Sequence, residues 1–118
     1  MFLLKLAAAF QDAKNLYMVL EFIQGGELFT LIQKQDNSIL PLEHARFYAA
    51  SVACAFSYLS FLNIVYRDLK PENTMLTSDG QLKVIDMGFA KMLSGPRTYT
   101  FCGTVGYMAP EVSSVRTP

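Results

Sequence analysis

The stretch from Phe47 to Tyr66 runs for 20 residues without a charge, and no other feature limits the fold of this chain so strongly. A run of that length needs either lipid or protein around it. It is long enough to cross a bilayer, but Ser51, Ser57, Ser60 and Asn63 interrupt it and alanines dilute it. The expectation is therefore a buried helix from Pro41 to about Leu62. Ala45, Ala49, Val52, Phe56 and Leu59 form its core-facing stripe, at i, i+4 and i+7 spacing. Composition points the same way. Hydrophobic residues make up 52% and charged residues 17%, against about 25% charged in an ordinary domain. A disordered chain is excluded, and much of the surface belongs against other protein. Ten basic residues cancel ten acidic ones, which argues against nucleic acid and against a membrane surface as partners.

The other segments are shorter. Leu3 to Phe10 and Leu16 to Ile23 are apolar and joined by a polar turn, so they read as an antiparallel hairpin. Gln24-Gly25-Gly26 stops the second strand. Glu27 to Gln35 has helical spacing, with Leu28, Leu31 and Ile32 on one face. Asp36 to Ser38 is a polar turn. Thr74 to Thr77 and Leu82 to Ile85 read as strands joined by the turn Ser78-Asp79-Gly80. Asp86 to Pro110 reads as loop, and Ser113 to Pro118 carries no core element. Met1 to Phe10 has the apolar run of a signal peptide, but its one charge, Lys5, interrupts that run instead of preceding it, so no leader is expected. Cys54 and Cys102 form no pair or cluster with metal-ligand spacing. They fit a reducing compartment, and the expected location is cytoplasmic.

Chemistry concentrates after the long helix. Tyr66-Arg67-Asp68-Leu69-Lys70-Pro71-Glu72-Asn73 places a base, two cations and an amide in eight residues. Asp68 and Asn73 can meet around one site from a curved loop. Taken alone, the run reads equally as a solvated turn. Asp86-Met87-Gly88 follows, an acid at a strand end with a glycine behind it. That is either a metal ligand on a hinge or an ordinary turn. Ala109-Pro110-Glu111 closes the series.

Protein kinases carry H-R-D-L-x-x-x-N, then D-F-G, then A-P-E. This chain carries Y-R-D-L-K-P-E-N, D-M-G and A-P-E in the same order. The strings YMVLEFIQGGELF (17–29), HARFYAA (44–50), VYRDLKPEN (65–73), GFAK (88–91) and RTYTFCGT (97–104) resemble cyclic-nucleotide-dependent serine/threonine kinases of the AGC group. Phe101-Cys102-Gly103-Thr104 leans toward the cyclic-GMP branch. The implied fold is α+β, a partial protein-kinase fold. Residues 1–23 would be small-lobe strands and the start of the hinge. Residues 24–112 would be large lobe, with a catalytic loop at 66–73 and an activation segment at 86–111.

The resemblance implies roles position by position. Asp68 is the expected catalytic base, with Lys70 near the transferring phosphate and Thr104 hydrogen-bonding near Asp68 and Lys70. Asn73 and Asp86 would hold Mg2+ against ATP. Leu20 matches the gatekeeper. Glu21 and Ile23 match the hinge that meets adenine through backbone groups, and Met75 matches the floor beneath the ring. Glu27 would bind ribose, and Glu27 with Glu72 would attract a basic substrate motif. Thr100 matches an activation-loop phosphosite, paired by Arg67 and Lys91. A regulatory subunit or domain is an implied partner, alongside protein substrates.

Some features depart from the pattern. Met87 replaces the phenylalanine of D-F-G, Val105-Gly106 replaces Pro-Glu, and Thr74 stands where an apolar residue is usual. No glycine-rich loop and no strand lysine with a helical glutamate occur. Lys5 invites the lysine assignment, but only 15 residues separate it from Glu21, too few for the intervening helix and strands. The expectation is a kinase fragment that is inactive in isolation. A natural non-catalytic binding module is the competing reading, and a membrane-anchored module using Phe47 to Tyr66 a distant third.

Overall fold

A computed structural model describes Phe2 to Ser113; Met1 and the expected coreless tail at 114–118 lie outside the described residues. Two strands, β1 (Leu6–Gln11) and β2 (Leu16–Leu20), form an antiparallel hairpin. Its turn is closed by Asp12, whose Oδ1 accepts the amides of Lys14 and Asn15 at 2.7 Å. Phe10 and Tyr17 are cross-strand partners and their rings stack with centroids 5.1 Å apart. Every residue of this hairpin is exposed. Two boundaries differ from expectation. Leu3 leaves the hairpin and bridges Val84 in parallel instead, and β2 stops at Leu20, short of Ile23. The physical reason is burial. Leu3 and Ile23 are 5% and 7% exposed, and neither gains that cover on the open hairpin.

The short helix α1 (Leu28–Gln33) follows Gly25-Gly26, with Leu28 buried and Leu31 and Ile32 packed on the core. A single 3-10 turn at Asp36–Ser38 leads to α2 (Leu42–Phe61), with Pro41 at its N-cap. The uncharged run does form a helix on protein, but its stripe is displaced. Ser51, Ala55 and Leu59 are the buried positions, flanked by Tyr48, Val52 and Phe56. Ala49, expected inside, is exposed. Ser51 tolerates burial because its hydroxyl donates to the Phe47 carbonyl at 2.9 Å. Phe47, Tyr58 and Phe61 stay exposed on the other faces. Among the described residues no helix is long and apolar enough to cross a membrane.

After α2 come β3 (Ile64–Val65), β4 (Thr74–Leu76), β5 (Leu82–Val84), β6 (Lys91–Met92) and a last turn of helix, α3 (Pro110–Ser113). β4 and β5 form the expected hairpin, with Met75 opposite Lys83. Alternation splits its two faces. Thr74, Leu76, Leu82 and Val84 are buried, while Met75 and Lys83 lie on the half-exposed side. Leu82 and Val84 are 0% exposed, each contributing about 1.5–3 kcal/mol by burial. Thr74 is inside too, its hydroxyl donating to the Pro71 carbonyl at 2.7 Å. The segment expected to be loop from Asp86 contains β6, which pairs with β3. Two residues per strand leave no periodicity to read in advance.

Candidate active site

The Tyr66–Asn73 loop begins where Tyr66 is driven inside. Its ring is 4% exposed and packs against Phe56, centroids 5.6 Å apart. Its hydroxyl donates to the Ile85 carbonyl at 2.5 Å. Burial pushes the Tyr66 hydroxyl up to about 12, aided by the nearby charges of Asp86 and Asp68. Arg67 comes next at φ 71° and Asp86 sits at φ 56°. Left-handed backbone in a non-glycine residue costs about 1–2 kcal/mol, and such strain gathers at functional sites.

Asp68 is 5% exposed and held on three sides. The Thr104 hydroxyl donates to its Oδ1 at 2.6 Å, and the Asn73 amide donates to its Oδ2 at 2.9 Å. Lys70 Nζ lies 3.3 Å from Oδ2 and donates to Thr104 Oγ at 2.8 Å. Burial raises the Asp68 carboxyl, but the bonds from Thr104, Lys70 and Asn73 together outweigh it and hold the group below its ordinary value. A buried carboxylate is thus kept ionised, with one hydroxyl linking it to an ammonium. That is a carboxylate able to accept a proton, with a cation beside it. Thr104 is brought here from 36 residues away by Gly103, whose φ is 119°. A Cβ at Gly103 would lie 2.6 Å from the Arg67 carbonyl oxygen, so the loop could not approach with any other residue there.

Asp86 is exposed, and its Oδ1 accepts the Gly88 amide at 2.9 Å. The amide of Ile85 donates to the Asn73 carbonyl at 2.9 Å, so the chain around Asp86 is tied to Asn73. Among the described residues no donor reaches Asn73 Oδ1 or Asp86 Oδ2. Both are hard oxygen donors, of the type magnesium takes. No group of three or more His, Cys, Asp or Glu side chains stands together among the described residues. A small donor set fits magnesium, which keeps several waters and takes the rest from phosphate.

Of the residues expected around adenine, Glu21 and Ile23 fall between the two hairpins, Leu20 ends β2 and Met75 lies on β4. Ile23 is buried, Leu20 is exposed and Met75 is half-buried. Glu27 sits at the N-cap of α1, exposed, with its backbone bridged to Met75. Glu72 is half-buried and its Oε2 has no partner among the described residues. Met87, the D-M-G departure, is 40% exposed and fills no closed slot.

Thr100 is exposed and makes no hydrogen bond to Arg67 or Lys91 among the described residues. Lys91 is placed on Thr98 instead, with Nζ 3.1 Å from Oγ1. Arg67 donates through Nε to the Phe89 carbonyl at 2.7 Å, and its buried Nη1 has no partner among the described residues. An open cavity of about 710 Å³ is lined by Arg67, Thr100, Tyr107, Met108 and Val112 among others.

Sequence reasoning missed Lys83. Its Nζ lies 2.5 and 2.6 Å from the two carboxylate oxygens of Glu21. The signal was present: Leu82 and Val84 face the core, so alternation puts Lys83 on the other side with Met75.

Known proteins resemble the chain along its length. The protein kinase domain family matches residues 1–117. A cAMP-dependent protein kinase catalytic subunit of Arthrobotrys oligospora is 56% identical over 94% of this chain and 21% of its own length. Its counterpart in Schizosaccharomyces pombe is 50% identical over 98% of the chain and 22% of its own length. A cGMP-dependent protein kinase 2 of Mus musculus is 49% identical over 94% of the chain and 14% of its own length. The chain belongs to the protein kinase domain family. Within that family it is similar to both cyclic-nucleotide-dependent branches, and it spans about a fifth of the length of the first two relatives.

Proposed function

We propose that this chain is a portion of a cytoplasmic, cyclic-nucleotide-dependent type of serine/threonine kinase. Its site moves the terminal phosphoryl group of ATP to a protein hydroxyl. The observation that carries this reading is the Asp68 carboxylate, buried, ionised and bonded at once to Thr104, Asn73 and Lys70. Asp68 orients the substrate hydroxyl and accepts its proton. Lys70 sets a positive charge beside it, and Thr104 fixes both side chains. Asn73 and Asp86 would hold magnesium, which when bound neutralises charge on the phosphates. Adenine would lie between the backbone of Glu21 to Ile23, next to Leu20, and Met75 below, with Glu27 toward the ribose.

Glu72 supports a basic substrate motif, since its unpartnered buried oxygen invites a cation. Thr100 is the proposed phosphosite. Arg67 Nη1 is a buried donor awaiting an acceptor, and a phosphate adds roughly −1.5 to −2 charge with three acceptor oxygens. Lys91 would have to leave Thr98 to join it. A regulatory subunit or domain remains the proposed partner beside protein substrates. The domain division stays at residues 1–23 and 24–112. The isolated 118 residues carry no glycine-rich loop, so they are expected to transfer no phosphate.

The test is a graft. Residues 2–113 replace the matching segment of the Schizosaccharomyces pombe relative, and transfer from radiolabelled ATP to a basic peptide is measured. The graft is expected to be active and to lose about 10²–10⁴-fold on Asp68→Ala. A folded but inactive graft would overturn the catalytic reading and favour a binding module.

A further inference from the structure

The β1–β2 hairpin is almost free of the rest of the molecule. The hydrogen bonds that join residues 2–21 to later residues, among those described, all fall on two adjacent positions of β5. Leu4 donates to the Val84 carbonyl at 3.0 Å, and Val84 donates to the Phe2 carbonyl at 2.8 Å. Lys83 then holds both carboxylate oxygens of Glu21. Glu21 is fixed from its other side as well. Its Oε1 accepts the Lys5 amide at 2.7 Å, and its own amide donates to the Lys5 carbonyl at 3.0 Å. The side chains of Lys83 and Glu21 are 16% and 28% exposed, so water screens this pair less than a surface one.

Lys83 also stands directly across from Met75, on the same face of the β4–β5 hairpin. One side chain therefore connects Glu21, just past β2 in the expected adenine-facing backbone, to β5 of the hairpin whose other strand, β4, carries the expected floor. We infer that Lys83 is a positioning residue for the nucleotide: through Glu21 it sets the gap between the hinge backbone and Met75. This rests on the ATP reading above. Lys83 needs no contact with the nucleotide to do so. Without its ammonium, the Glu21 carboxylate keeps only the Lys5 amide, which belongs to the same hairpin. Among the described residues, only the Val84 bonds and apolar packing would then tie residues 2–21 to β5, and the next tie to the floor strand would be the Gly25 and Gly26 bonds to Leu76.

The test uses the graft and the 118-residue chain together. In the graft, Lys83→Met and Glu21→Gln are each expected to raise KM for ATP roughly three- to tenfold with kcat within about twofold, as a partly exposed charged pair is lost. The exchanged pair Lys83→Glu with Glu21→Lys is expected to recover most of the affinity, because the bond needs opposite charges and not a given order. A merely structural role would move stability without this split or rescue. KM unchanged in Lys83→Met, or no recovery in the exchanged pair, overturns the inference. If the graft transfers no phosphate, the ATP reading fails, and the pair is judged in the chain by hydrogen–deuterium exchange at residues 4–6 and 20–22. Exchange that quickens in Lys83→Met and slows again in the exchanged pair supports the tether; unchanged exchange overturns it.

Discussion

Tyr66 shows how one buried phenol ties two loops together. Its hydroxyl bonds the carbonyl of Ile85, so the residue just before Asp86 is fixed by the residue two before Asp68. Burial raises its pKa from an ordinary 10 to about 12. A raised folded-state value means the neutral form is the one the fold favours. Its contribution is whole below pH 10 and is lost as pH climbs from there through about 12. The expected outcome is a phenolate absorbance step near pH 12 that is absent in Tyr66→Phe. Asp68 behaves in the opposite sense. Its lowered pKa adds stability above an ordinary 3.8, which fades as pH falls through the folded value. Of the expected site residues, Asp68 and Asn73 meet as their spacing allowed, and Lys70 and Thr104 join them where the resemblance put them. Lys91 does not reach Thr100, because the Thr98 hydroxyl is nearer along the same loop. Such a choice between two threonines is decided by loop path, which no motif encodes.

At the scale of elements, Gly25 controls how the segment after β2 docks on β4. Its amide donates to the Leu76 carbonyl at 2.8 Å, and the Leu76 amide returns a bond to the Gly26 carbonyl at 2.8 Å. A Cβ at Gly25 would lie 2.4 Å from the carbonyl oxygens of both Leu76 and Thr77. These are backbone atoms within a hairpin and cannot swing aside. Gly26 has open space around it and only a positive φ of 85° to respect. Gly25→Ala is therefore expected to destabilise by more than about 3 kcal/mol, against about 1 kcal/mol for Gly26→Ala. Thermal melts of the two variants within the graft check the order. The sequence announced a stop here through Gly-Gly, yet not which glycine was crowded, since crowding comes from a strand some 50 residues on. α1 and α2 were legible from helical spacing and both hairpins from apolar runs flanking polar turns, whereas the short α3 was not. β3 and β6 were not, because two-residue strands exist only through each other.

For the molecule as a whole, shape and surface agree. The Cα radius of gyration is 16.1 Å, where a compact chain of this length would have about 13.5 Å. Phe22, Phe61, Tyr99 and Val105 are each at least 80% exposed, and the β1–β2 hairpin shows Leu6, Phe10, Leu16 and Met18 to solvent. Apolar surface on this scale associates in water. The chain alone is expected to brighten a hydrophobic dye and to sediment above its monomer mass of 13.2 kDa. The same residues inside the graft should do neither. A monomeric, dye-silent chain would mean that it closes on itself in a way these elements do not. The low share of charged residues foretold this appetite for cover. It carried no hint of which faces would be left open.

The pairing of β3 with β6 has a consequence in polymer terms. Leu93 donates its amide to the Asn63 carbonyl at 2.8 Å, and Gly103 is pressed against the Arg67 backbone. Residues 94–102 are thus a nine-residue loop pinned at Asn63 at one end and against Arg67 itself at the other. An acceptor carried by Thr100 would search a volume only a few residues across. It would meet the unpartnered Arg67 nitrogen at an effective concentration of order millimolar. Dilution of the protein would not loosen that encounter, and a free phosphate competitor would need comparable concentrations to break it.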